Sequence, residues 1–316
     1  MHAFLNAVEV FWHHLAAVKW DALGLALLFQ LLKLVVRGFA WRNILVAAYP
    51  DVAIKRRSVF GAYAAGVGVN AIAPARAGDV VKLYLVKRRV PGSTYPTLAP
   101  TLVAETLLDF VVAGVIFLWA LAVGVVPSSE VLKRLPSVDW AWPFHHPTAM
   151  LVILVVLVAV GIVLGLRARR RVREFRAQVG RGFAILQDRR RYLRLVASWQ
   201  AFSWVLRLLS VYEFLRAFRL TPSLHNTLVV QTVESVSTLL PFTPGGAGTK
   251  QGLLAYAFRN EFSVSSVLSF SVGMNIALVV VNVLIGFAAL FLLARTLRWR
   301  RLADAQKVEA ERQAPA

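Results

Sequence analysis

Residues 149–166 form an uninterrupted apolar stretch, AMLVILVVLVAVGIVLGL, which constrains the fold more than any other feature of the chain. A helix rises about 1.5 Å per residue, so this stretch is long enough to cross most of a hydrocarbon core of about 30 Å. The chain as a whole is 58% hydrophobic and 16% charged, which is not the balance of a soluble domain. The sequence therefore predicts an all-α integral membrane protein, a polytopic helical bundle.

Six further segments have an apolar, helix-like pattern. They are 21–46, 58–74, 98–126, 193–216, 224–241 and 264–294. The segments 58–74 and 224–241 are shorter than the others, and each ends at a proline that is followed by a glycine-containing turn and a second amphipathic stretch.

These two interrupted segments correspond to each other in position. Alignment of VNAIAPARAGD with VSTLLPFTPGG places Pro74 over Pro241, and each motif lies between two longer apolar segments. Paired Pro/Gly-broken segments in the two halves of a chain predict two re-entrant helical hairpins, 58–90 and 224–260, in an inverted repeat. Ordinary spanning helices with proline kinks remain the alternative.

The formal net charge of +20 is concentrated beside the apolar segments. Of the 36 Lys and Arg residues, 27 fall in the stretches 37–57, 75–95, 167–194 and the tail from 295. Positive charge beside spans is typical of cytoplasmic loops, so we expect a multi-pass protein of the cytoplasmic membrane with its N-terminus outside and its C-terminus inside. A full crossing by 58–74 would put one of these basic stretches outside. The same placement favours anionic lipid headgroups, and not nucleic acid, as the partner of the charge.

The chain then divides into four parts. They are a first half (1–166), a basic connector (167–192), a second half (193–294) and a cytoplasmic basic tail (295–316). Apolar residues at helical spacing among the arginines predict that the connector is an amphipathic helix at the membrane interface.

Polar side chains within apolar segments face protein or a wet cavity, because lipid does not solvate them. Gln30, Lys33 and Arg37 share one face of the first segment, although the two cations could equally snorkel to the interface. Glu105 and Asp109, four residues apart, also share a face. They could bind a cation or a proton, or balance a basic residue on another helix, for which Arg76 is the expected partner.

The second half carries a comparable polar face. It consists of Gln200, Ser203, Arg207 and Ser210 in one segment, with Glu234 in the short segment that follows. Spacing of three to four residues places the first four on one side of a helix, which predicts a polar crevice.

The two breaks supply groups that suit an anion. In LLPFTPGGAGTKQG the glycines allow backbone N–H groups to converge at the start of the next half-helix. At the other break, Arg76 offers a guanidinium that can hold a phosphate through two hydrogen bonds. We therefore expect a phosphate-bearing substrate.

Taken together, the break motifs resemble the flippase-like membrane domain of the lysylphosphatidylglycerol synthase transmembrane family. The residues that carry the resemblance are Asn70, Pro74, Ala75, Arg76, Gly78, Asp79, Glu105, Asp109, Pro241, Pro244, Gly245, Gly246 and Gly248. The chain departs from the family pattern at Thr106, where a basic residue is frequent, and at Gln251, where an acid is frequent. The resemblance implies a lipid flippase-like transporter that moves an amphiphilic, phosphate-bearing or isoprenoid lipid between leaflets.

We take twelve residues as candidates for substrate binding. They are Asn70, Arg76, Asp79, Glu105, Asp109, Arg207, Glu234, Pro244, Gly245, Gly246, Gly248 and Gln251. Expected partners are membrane lipids, with a homo-oligomer or a lipid-synthesis enzyme as further options.

We expect no catalytic residue, cofactor or metal. The chain has no cysteine, which excludes disulfides, thiolate zinc sites and iron–sulfur clusters, and its six histidines form no His-x4-Asp acyltransferase pair. From the short tail after the last segment we also expect no soluble catalytic domain. Two other functions stay open: a membrane-embedded lipid-modifying transferase, and a non-transporting assembly partner of a lipid-synthesis enzyme.

Overall fold

The structure is a computed structural model that describes residues 18–73, 76–122, 169–239 and 249–313. Every regular element within these ranges is helical. The predicted span 149–166 lies outside the described residues, as do Pro74, Pro241 and the Pro/Gly group Pro244, Gly245, Gly246 and Gly248.

The helices follow the predicted segments closely. In chain order they are α1 (Trp20–Ala48), α2 (Arg56–Ile72), α3 (Ala77–Lys87), α4 (Tyr95–Ala122), α5 (Arg169–Gly182), α6 (Ala184–Gln187), α7 (Arg189–Tyr192), α8 (Ser198–Ala217), α9 (Leu224–Leu239), α10 (Thr249–Ala257) and α11 (Val264–Gln313). A π-helical turn, Leu193–Ala197, leads from α7 into α8. The last helix continues well past the predicted boundary at residue 294, because the tail is rich in Ala, Leu, Arg, Glu and Gln and contains no Gly or Pro before Gln313.

Three of the described helices are long and apolar enough to cross a membrane. They are α1 over Trp20–Ala48, α4 over Tyr95–Ala120 and α11 over Val264–Leu293. Their outer surfaces expose large apolar side chains, such as Phe110 on α4 and Phe291 on α11. Contiguous apolar surface of this kind requires lipid and not water around it, so the fold is that of an all-α membrane protein.

Contacts at both ends of α1 fix the directions of its neighbours. Near the C-terminal end of α1, Tyr49 Oη accepts a hydrogen bond from the Thr94 backbone N–H at 3.2 Å, just before α4 begins. At the same end, Asn43 Nδ2 donates to the Leu195 carbonyl at 2.7 Å, just before α8. Both α4 and α8 therefore start where α1 finishes, and both run antiparallel to it.

The helices α2 and α3 form a hairpin that opens at the C-terminal end of α1. The backbone N–H of Gly78, at the start of α3, donates to Asn70 Oδ1 at 2.7 Å, near the end of α2. Further from the break, Lys82 Nζ lies 4.3 Å from the ring centroid of Tyr63. Later residues of α3 thus contact earlier residues of α2, so the two helices run antiparallel to each other. Close backbone contact makes this possible: a Cβ on Gly78 would lie 1.9 Å from the Gly66 carbonyl oxygen.

The pair α9 and α10 approaches from the opposite end. His225, at the start of α9, stacks edge-to-face on Trp119 near the end of α4, with 5.5 Å between ring centroids. Lys250, at the start of α10, reaches back to Glu234 on α9. The described ends of α2 and α9 therefore point towards the middle of the bundle.

The basic connector packs against α4 and not only against solvent or lipid. Gln178 on α5 accepts a hydrogen bond from Thr94 Oγ1 at 3.0 Å. Phe175 is exposed, whereas Phe183 packs on the hydrophobic core. The apolar residues predicted to lie together at the membrane interface are thus divided between the outer surface and the protein interior.

Candidate functional site

A polar cavity of about 600 Å³ lies between α1, the α2–α3 hairpin and α4. Its wall contains four cations and three carboxylates: Lys33, Arg37, Arg76, Lys82, Asp79, Glu105 and Asp109. Four of the twelve predicted site residues (Arg76, Asp79, Glu105 and Asp109) are in this group, and Asn70 also lines the cavity.

Arg37 is the centre of the ion-pair network. Its Nη2 lies 2.8 Å from Glu105 Oε1 and 2.6 Å from Asp109 Oδ2, and its Nη1 donates to Asp109 Oδ1 at 3.0 Å. Nε donates to Tyr63 Oη at 2.8 Å, and that hydroxyl donates to Glu105 at 3.1 Å. The partner of the two carboxylates is therefore Arg37, and the expected pairing with Arg76 was wrong. Arg37 does not snorkel, because these contacts hold its guanidinium inside the bundle.

Helix α8 supports the same two carboxylate residues from the other side. Trp204 Nε1 donates to Asp109 Oδ1 at 2.9 Å. Gln200 Nε2 donates to the backbone carbonyl of Glu105. These contacts fix the rotation of α4 relative to α8, and they confirm that part of the predicted polar face of α8 turns inward.

Asn70 and Asp79 stabilise the α2–α3 hairpin. Asn70 Oδ1 accepts from the Gly78 N–H, an end group of α3 with no partner in its own helix, while Asn70 Nδ2 lies 3.3 Å from Asp79 Oδ1. Asp79 also pairs with Lys82 at 3.0 Å. Both predicted residues line the cavity, but their polar atoms are engaged in closing the turn between α2 and α3.

Arg76 differs from the other cations of the wall. It sits at the break with φ 56°, a left-handed conformation that costs a non-glycine residue about 1–2 kcal/mol. Its side chain is exposed and makes no hydrogen bond or ion pair with any residue that the structure describes. Lys33 likewise has no such partner within the described ranges. Of these two groups, the Arg76 guanidinium is the one whose positive charge is available to a ligand.

A second cavity, of about 410 Å³, adjoins the first, since Arg76, Thr106 and Asp109 line both. It extends to Arg207 on α8 and to α9. Strained or unpaired groups in a concave site are functional candidates, and Arg76 stands at the junction of the two cavities.

The second half contributes its own ion-pair group beside this junction. Glu234 lies 2.5 Å from Lys250 Nζ and 3.5 Å from Arg207 Nη2. The guanidinium of Arg207 stacks 5.0 Å from the ring centroid of Trp204. Because Trp204 also bonds Asp109, one tryptophan links the charged groups of the two halves. Gln251 lies next to Lys250 on α10 and is partly buried.

Several residues of this site were missed by sequence reasoning. Lys82 and Lys250 each lie on a short helix directly after a break and neutralise a carboxylate, Asp79 and Glu234 respectively. For Lys82 the sequence did contain a pattern that predicts the ion pair, because Lys82 follows Asp79 at i+3 spacing on a helix. No sequence pattern marked Trp204 as the residue that joins the two groups.

The fold and the cavity together define a class: a multi-pass, all-α membrane protein with a charged cavity that is bordered by apolar helices. The model of the lysylphosphatidylglycerol synthase TM region matches residues 3–286, which is most of the chain. The protein belongs to this family, as the break motifs predicted, and its function is related to membrane lipids. No curated protein and no solved structure matches the chain significantly.

Proposed function

We propose that the protein is a flippase-like transporter, which moves an amphiphilic lipid with a phosphate-bearing headgroup between the leaflets of the cytoplasmic membrane. The observation that carries the proposal is Arg76: a guanidinium without an ion-pair partner among the described residues, held in a strained backbone conformation at the junction of two cavities. A guanidinium so placed suits a phosphate, which it can bind through two parallel hydrogen bonds.

The charge balance of the larger cavity supports an anionic headgroup. Glu105 and Asp109 are neutralised by Arg37, and Asp79 by Lys82, which leaves Arg76 as the uncompensated guanidinium of the described wall. A volume of about 600 Å³ fits a headgroup, whereas acyl chains would stay against the apolar outer faces of α1 and α4.

The proposed mechanism treats the α2–α3 and α9–α10 pairs as re-entrant hairpins of an inverted repeat. The described ends of α2 and α9 face the middle of the bundle from opposite sides, which fits the arrangement in which transporters bind substrate near the bilayer midplane. The link through Trp204 would let the two halves change their positions together. The basic stretches at the C-terminal end of α1 support an orientation in which that end faces the cytoplasm and the N-terminus lies outside.

Transport is favoured over group transfer by the state of the carboxylates. A general base needs a free carboxylate within reach of a proton, whereas Glu105 and Asp109 are both held by Arg37. We therefore propose that the protein is not an enzyme, and that these carboxylates set the position of Arg37 and the shape of the cavity.

Replacement of Arg76 by glutamine tests the proposal. We expect the translocation rate of a fluorescent phosphatidylglycerol in proteoliposomes to fall about 10- to 100-fold, because a charge-assisted contact worth about 1.5–3 kcal/mol is lost. The rate is measured by dithionite quenching of the label. Arg219→Gln is the matched control, since Arg219 is an exposed arginine with a similar φ of 59° that does not line either cavity.

Equal rates for both variants and the unmodified protein, across phosphatidylglycerol, phosphatidylethanolamine and an isoprenoid phosphate, would contradict the role of Arg76. A lipid of changed mass in the same vesicles would instead favour a transferase. Co-purification with a lipid-synthesis enzyme, without transport of any of these lipids, would favour an assembly partner.

A further inference from the structure

A third cavity lies away from the central site, at the C-terminal end of α1. It has a volume of about 530 Å³ and opens between α2, α11 and the segment after α3. Its wall combines three arginines, Arg57, Arg89 and Arg295, with apolar surface. None of its lining residues lines the central cavity or the cavity next to it.

The apolar part of the wall is formed where α2 and α11 approach closely. A Cβ on Gly61 would lie 2.9 Å from the Leu293 side chain, so the two helices contact each other directly at this level. Phe60 and Leu292 border the cavity beside this contact, and Leu292 is largely exposed. The surface therefore continues outwards as an apolar groove between two helices, one of which is long enough to span a membrane.

The three arginines surround one edge of this groove from three different elements. Arg89 is fixed, because its Nη2 donates to the Leu293 carbonyl at 2.8 Å. Arg57, in the first turn of α2, and Arg295, on α11, are both exposed. No carboxylate lines the cavity among the residues that the structure describes.

We infer that this cavity is a second lipid site, which holds an anionic phospholipid with its phosphate among Arg57, Arg89 and Arg295 and an acyl chain against Phe60 and Leu292. The arginines match the charge and hydrogen-bonding geometry of a phosphate diester. The apolar groove excludes a free phosphate as the intended ligand, since it would leave the groove empty. Basic clusters beside a spanning helix are expected to bind anionic lipids of the adjoining leaflet.

The test is native mass spectrometry of the purified full chain with dioctanoyl phosphatidylglycerol, compared with dioctanoyl phosphatidylcholine. We expect the double variant Arg57→Gln/Arg295→Gln to lose about tenfold in affinity for phosphatidylglycerol and little for phosphatidylcholine. Arg89 is left in place because it fastens α11. A matched control, Lys55→Gln, removes an exposed charge from the same end of the bundle without touching the cavity wall.

Unchanged phosphatidylglycerol binding in the double variant would overturn the site. An equal loss of affinity in the Lys55 variant would also overturn it, because the loss would then reflect the total positive charge at this end of the bundle and not the cavity. Full competition by glycerol 3-phosphate would overturn the part played by the apolar groove. Since the readout is equilibrium binding, failure here is distinguishable from failure of the transport proposal, which rests on Arg76 and translocation rates.

Discussion

Replacement of Arg37 by methionine is expected to lower the free energy of unfolding by about 3–5 kcal/mol, because removal of one partner of a buried ion pair leaves the others uncompensated. The Arg37 side chain is 14% exposed, and it neutralises Glu105 and Asp109 together. The measurement is unfolding by sodium dodecyl sulfate in mixed micelles, followed by the fluorescence of the nine tryptophans.

The chain contains a matched control for this prediction. Arg216 also pairs with two carboxylates, Asp21 at 3.0 Å and Glu213 at 3.3 Å, but its side chain is 41% exposed. An exposed pair is worth about 0–1 kcal/mol, so Arg216→Met should change the unfolding free energy little. If the Arg37 and Arg216 variants lower the free energy of unfolding equally, burial of the Arg37 network does not determine how much that network stabilises the fold.

Removal of all three charges of the Arg37 network separates the contribution of charge balance to the free energy of unfolding from that of the guanidinium hydrogen bonds. In the triple variant Arg37→Met/Glu105→Gln/Asp109→Asn no charge is left unbalanced, so most of the lost stability should return. If the triple variant unfolds as readily as Arg37→Met, the hydrogen bonds of the guanidinium, and not the charge balance, hold α1 against α4.

Replacement of Gly78 by alanine is expected to cost about 3 kcal/mol or more, at the upper end of overpacking effects. The new Cβ would lie 1.9 Å from the carbonyl oxygen of Gly66, and backbone cannot move aside as a flexible side chain can. The α2–α3 hairpin would have to open, which would also break the hydrogen bond from Gly78 to Asn70. The same detergent titration measures the loss.

Gly24→Ala provides the control for this substitution. Gly24 lies within α1 with nothing within 4 Å of an added Cβ, so alanine there should raise helix stability by about 0.5–1 kcal/mol. A Gly78 variant as stable as the Gly24 variant would contradict the close approach of α2 and α3.

The sequence predicted the helical segments well, because hydropathy and helical period are properties of neighbouring residues. It placed Glu105 and Asp109 on one face of α4, and it recognised that two acids there need a partner or a ligand. It could not identify Arg37 as that partner, since the two residues of the pair are 68 positions apart. It named Arg76 as the expected partner, but that side chain faces the cavity and pairs with neither acid among the described contacts.

The break residues show a second limit of sequence reasoning. Asn70 and Arg76 look alike as polar residues near a proline, and both were predicted to bind substrate. In the structure Asn70 accepts the hydrogen bond that closes the turn, whereas Arg76 makes no comparable contact with the described residues. A motif shows that a polar group is required at a position, but not which atom it contacts.

By itself the sequence determined that this chain lies in a membrane, which of the described segments are helical, and to which family the chain belongs. Tertiary structure alone decided how the charges are distributed: Arg37 with Glu105 and Asp109, Lys250 with Glu234, and Arg76 facing the cavity. The physical reason is that apolar burial depends on residue type and spacing, whereas an ion pair depends on the rotation and offset of whole helices. Those are set by packing contacts, such as that between Gly66 and Gly78, that no local pattern contains.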